Sequence, residues 1–136
     1  MIYRELKHYK YQLLADEVIL LSAPLPSAQT DFIVLEGRKL ICKKYYAWDG
    51  LSGPSFDTKR TKIGSLAHDA LYQLMRKGLL PRTYKKFADA ELKRLLIKCG
   101  VSRFYADIVH KGVQIFGKKY TYPEKNPRGK IVTITK

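Results

Sequence analysis

The chain has 136 residues, 46% hydrophobic and 12% aromatic, enough to bury one compact core and too apolar for a disordered polymer. Its 26 lysines and arginines against 12 acids give a net charge of +14, concentrated as +7 over residues 61–116 and +5 over residues 117–136. A field of that sign draws an anionic surface, whether membrane lipid or an acidic partner, and attracts nucleic acid through charge alone. The longest aliphatic run, Val18-Ile19-Leu20-Leu21, is too short to span a bilayer. The first residues, Met1 to Leu6, lack the apolar stretch of a signal peptide. Cys42 and Cys99 have no CxxC partner and are expected to be reduced thiols.

A single α+β domain is expected, with β structure and loop over 1–60, helices over 61–117 and a basic tail over 118–136. Tyr9 to Leu21 reads as a strand, broken by Pro24 and Pro26. Asp31–Leu35 and Lys39–Tyr46, rich in β-branched and aromatic residues, read as a hairpin turning at Glu36-Gly37-Arg38. Residues 48–60 form a Gly/Ser/Pro loop. The first helix is expected over 61–77, where Ile63, Leu66, Ala67, Ala70, Leu71, Leu74 and Met75 recur at helical spacing and Gly78 stops the run. A second follows Thr83 and ends at Gly100, with Phe87, Ala88, Leu92, Leu95, Leu96 and Cys99 as its apolar stripe. Ser102 caps a third carrying Tyr105, Ile108, Val109, Val113 and Phe116. The alternating segment Lys130–Lys136 is expected to add an edge strand to one small antiparallel sheet packed on these helices.

Chemistry concentrates in His68-Asp69-x-x-Tyr72 and Asp89. Positions 68 and 72 stack on one helix face, and an antiparallel second helix brings Asp89 against them. Asp89 flanks the stripe of Leu92 and Leu96, and a carboxylate facing inward needs partners to offset its desolvation. One arrangement satisfies all three side chains: Asp89 accepts from the His68 ring and Tyr72 donates its hydroxyl to Asp89. The other ring nitrogen then faces the 48–57 loop as a general base for water. Asp69, with Asp49 and Asp57 in the glycine-containing loop, offers oxygen ligands for a hard cation such as calcium. The same residues also suit a polar network that only fixes helix packing. Trp48 beside Tyr45 and Tyr46 suits core packing more than a stacking patch. The basic pairs Lys85-Lys86 and Lys93-Arg94, with Lys98, fall on the expected outer face of the second helix.

His68-Asp69-x-x-Tyr72 with Ala88-Asp89-x-x-Leu92 resembles the paired active-site helices of phospholipase A₂ enzymes, closest to the disulfide-free form in parvovirus capsid proteins. That resemblance implies that His68 deprotonates the attacking water, that Tyr72 and Asp89 orient it, and that Asp69 ligates calcium. It also implies that Trp48–Gly53 stands in for the calcium loop, with carbonyls from Trp48, Gly50 and Ser52; Asp49 adds an acid there. The loop departs from the Tyr-Gly-x-x-x-Gly-x-Gly pattern of those enzymes. A broader pattern over residues 30–116, Trp48-Asp49-Gly50-x-Ser52-x-Pro54 followed by His68-Asp69-x-x-Tyr72 and Ala88-Asp89, is similar to a family of small phage proteins known as a domain of unknown function. Together they imply a phage-encoded ester hydrolase, present in the host cytoplasm after synthesis or carried in the virion. The alternative is a non-catalytic virion or host-interaction protein.

Overall fold

A computed structural model describes residues 1–7, 10–51 and 57–123. Five strands precede three helices: β1 (Tyr3–Leu6), β2 (Lys10–Leu13), β3 (Glu17–Gln29), β4 (Ile33–Cys42), β5 (Ala47–Trp48), α1 (Lys62–Arg76), α2 (Lys85–Lys98) and α3 (Arg103–Phe116). The α+β class is as expected, but there are two antiparallel sheets, a three-stranded β1-β2-β5 and a two-stranded β3-β4. The segment Lys130–Lys136, like His8, Ser52 and Pro54, lies outside the described residues.

The expected hairpin at residues 36–38 is not a turn. β4 runs straight through Glu36-Gly37-Arg38, and its partner is β3, with Glu17 opposite Cys42 and Gln29 opposite Val34. The chain reverses instead at residues 30–32, where the Thr30 hydroxyl accepts from the backbone N–H groups of Phe32 and Ile33. Gly37 has φ +59 and lies opposite Leu25, between two register shifts. Its missing Cβ lets the ribbon bulge rather than turn. Pro24 and Pro26 likewise sit inside β3. A two-stranded ribbon leaves each strand one unpaired edge, so a residue without an N–H is tolerated there.

One face of this ribbon (Ile19, Leu21, Leu25, Ile33, Leu35, Leu40 and Cys42) packs with β2, Trp48 and the apolar faces of α1 and α2 into the main core. Cys42 and Cys99 form no disulfide. Both helices follow their expected stripes and stop where expected, at Gly78 (φ +72) and Gly100 (φ +95). Gly64 lets α1 and α2 approach: a Cβ there would lie 3.3 Å from methyls of both Leu92 and Leu96. At its start, α2 differs from expectation. A short 3-10 turn over Arg82–Tyr84 leads into it, and Thr83 does not cap it.

Two acids are buried on α2. Asp89 belongs to the site below, while Glu91 accepts hydrogen bonds from the Ser22 hydroxyl and from Arg94 at 2.6 Å. Arg94 also donates to the Leu20 carbonyl at 3.0 Å, so this pair fastens α2 to β3. On α3 the Ser102 side chain accepts from the Tyr105 N–H, as expected. Its apolar stripe, however, reaches the core only in part, through Val109 and Val113, which pack against Leu92, Leu96 and Ala106. Ala106 is its one buried residue, whereas Tyr105, Ile108 and Phe116 are exposed. No described helix is long and apolar enough to cross a membrane.

Candidate functional site

Antiparallel packing of α1 against α2 sets His68, Tyr72 and Asp89 together. The His68 Nε2 lies 2.8 Å from Asp89 Oδ1, and the Tyr72 hydroxyl donates to the same oxygen at 2.6 Å. The rings of His68 and Tyr72 lie 4.0 Å apart between centroids, as expected for i and i+4 on one helix face. Asp89 is only 1% exposed, and a carboxylate survives there because every approach to it ends on a donor.

The third partner of Asp89 is Lys85, whose Nζ donates to Asp89 Oδ2 at 2.6 Å and to the Val113 carbonyl at 3.0 Å. Lys85 is thus not on a purely solvated face: it points inward and ties α2 to α3. Its signal in the sequence was a lysine four residues before a buried acid, the i, i+4 relation of a helical ion pair. Lys93 also crosses to α3, pairing with Asp107 at 2.6 Å.

Burial opposes ionisation of Asp89 most strongly, but the hydrogen bonds from His68, Lys85 and Tyr72 together outweigh it and hold the carboxyl below its ordinary value. Burial, the hydrogen bond to Asp89 and the charge of Asp89 push the Tyr72 phenol well above its usual range, so Tyr72 stays a donor. An ionised Asp89 accepts only. The hydrogen on the His68 contact is therefore carried by Nε2, which leaves the lone pair of a neutral ring on Nδ1. The ring is fixed in the tautomer a general base requires.

His68 lies on the wall of a cavity of about 520 Å³. It is lined by Asp49, Gly50 and Leu51, by Asp69, Tyr72 and Arg76 of α1, and by α3 residues from Ile108 to Phe116. The exposed Ile108 and Phe116 of α3 thus line this space together with the half-buried Val109 and Val113. Gly117 is the tightest point: a Cβ there would fall 2.4 Å from the Tyr72 hydroxyl and 2.4 Å from the Val113 carbonyl.

The expected metal ligands are not gathered in the same way. Asp69 is on the cavity wall, with Oδ1 3.9 Å from the Arg76 guanidinium and Oδ2 accepting from the Tyr46 hydroxyl at 3.4 Å. Asp49, also on the wall, pairs with Lys10 at 4.0 Å. Gly50 lines the cavity. Trp48 does not: its side chain is 1% exposed in the core, its Nε1 donates to Ser65 at 3.0 Å, and its backbone pairs with Tyr11. Asp57 is engaged elsewhere, by Lys62 at 2.7 Å and by the Tyr11 hydroxyl. Calcium takes six to eight oxygens and prefers carboxylates without competing cations. Among the described residues no group of three or more His, Cys, Asp or Glu side chains converges, and both wall carboxylates already face a cation. Among the described residues, Asp69, Asp49 and Gly50 are the expected ligands that line the cavity, and by themselves they do not make up a calcium cage.

The chain matches no family model, no curated protein and no solved structure.

Proposed function

We propose that this protein is a hydrolase of lipid esters, of the phage-encoded kind that the sequence resemblances imply, with His68 as general base. The observation that carries the reading is the His68–Asp89–Tyr72 contact opening onto a largely apolar cavity: an oriented imidazole faces a space suited to an acyl chain. Nδ1 of His68 takes a proton from water as its oxygen attacks the ester carbonyl. The imidazolium, stabilised by Asp89, then returns that proton to the leaving alkoxide. One water is consumed, and a carboxylic acid and an alcohol leave.

The exposed apolar side chains of α3 beside Lys111, Lys118 and Lys119, with the overall charge of +14, favour an anionic membrane as the source of substrate. Each basic residue near such a surface contributes about 1 kcal/mol. The test is release of a trapped dye from anionic vesicles. Wild type is expected to release it and His68→Ala to be inert with an intact fold; equal release by both rejects the reading.

A second reading has one observation in its favour. Lys85 joins Asp89 to the Val113 carbonyl, so the same network pins three helices and suits a non-catalytic virion or host-interaction protein. On that reading His68→Ala lowers the melting temperature, and no ester is cleaved by the wild type.

A further inference from the structure

Arg76 was not singled out by its sequence, yet it is the most deeply buried cation on the cavity wall, with a side chain 2% exposed. It stands seven residues after Asp69, two helical turns along the same face of α1. Its Nη1 donates to the Tyr120 carbonyl at 2.9 Å, which anchors the guanidinium from the segment following α3. Its Nη2 lies 3.9 Å from Asp69 Oδ1.

We propose that the Arg76 guanidinium, and not a divalent cation, is the fixed positive charge that balances Asp69, so that the site works without metal. The inference rests on the hydrolytic reading for its catalytic half, while the charge balance stands on geometry alone. A divalent ion bound at Asp69 would sit beside a buried, anchored guanidinium of the same sign, and the two charges repel. Arginine keeps its charge at any accessible pH, so the compensation is permanent. Asp49, the other carboxylate on the wall, has Lys10 at 4.0 Å. Arg76 is on this account a positioning residue: its fixed charge offsets that of Asp69 beside the base.

The experiment has two arms. Calorimetric titration and thermal melts with calcium chloride are expected to show neither saturable heat nor a melting shift for the wild type or Arg76→Lys. Arg76→Met, which leaves Asp69 without its counter-charge, is expected to gain a calcium-dependent rise in melting temperature that Arg76→Met/Asp69→Asn lacks. In the second arm, hydrolysis of a short-chain phosphatidylglycerol by wild type is expected to run at the same rate in excess EDTA as in excess calcium. Saturable calcium binding by the wild type that Asp69→Asn abolishes, or loss of turnover in EDTA, overturns the proposal. Should no ester be cleaved under any condition, the hydrolytic reading fails, and the binding arm still decides the charge balance. Should Arg76→Met not fold, the wild-type titration and Arg76→Lys decide it.

Discussion

Replacing Asp89 by Asn removes one charge and almost no volume, and the consequences follow atom by atom. The Oδ1 position already accepts from both His68 and Tyr72, so the amide oxygen of the variant is best kept there. That places the amide NH₂ against the Lys85 Nζ, now 2.6 Å from a second donor. Rotating the amide relieves Lys85 but presents an N–H to His68 Nε2, which moves the ring hydrogen to Nδ1 and abolishes the base. Either arrangement loses a charge-assisted hydrogen bond of about 1.5–3 kcal/mol. Lys85, 18% exposed at its side chain, recovers part of this by hydration. A net cost of about 2 kcal/mol corresponds to a melting temperature lower by roughly 4–10 °C for a chain of this size. Turnover is expected to fall about a hundredfold or more, the range that a general base supplies. Circular-dichroism melts and constant-pH titration of released acid measure the two effects. A variant that melts like the wild type and cleaves at its rate would refute the claim that Asp89 orients His68.

Because the folded state holds the Asp89 carboxyl below its ordinary value, its contribution to stability is present above about pH 4 and is lost as the pH falls through the depressed value; acid melts of Asp89→Asn should lack that step. Gly117→Ala is allowed by its φ of −78 but drives a methyl into both the Tyr72 hydroxyl and the Val113 backbone carbonyl. We expect a loss of about 1–3 kcal/mol together with reduced turnover, and an unchanged melt would contradict the close approach. Lys85→Met should cost about 1.5–3 kcal/mol. Combined with Asp89→Asn it should cost less than the two single losses together, since both remove the same ion pair; strict additivity in a double-mutant cycle would show the pair to be uncoupled.

The helices were legible because their apolar residues repeat at helical spacing and each of the first two ends on a glycine. The ribbon was misread because Gly37 marks a bulge as readily as a turn, and because the prolines of β3 break a strand only where both edges are paired. The real reversal carried a sequence signal in Thr30, a side chain able to cap two backbone N–H groups. At the site, the contact of His68, Tyr72 and Asp89 followed from helical spacing and the cost of burying an acid. Lys85, Arg94 and Arg76 were hidden among 26 basic residues, since charge alone does not say which cations turn inward. The α3 stripe shows the converse: amphipathic spacing locates an apolar face without saying whether core or cavity receives it.

The most direct measurement is hydrolysis of phosphatidylglycerol vesicles in water enriched with heavy oxygen, with the released fatty acid weighed by mass spectrometry. The wild type is expected to release acid carrying the label in its carboxyl group, and His68→Ala to release none. Absence of free acid from the wild type, or equal labelled acid from both proteins, would contradict the assignment of His68 as the base.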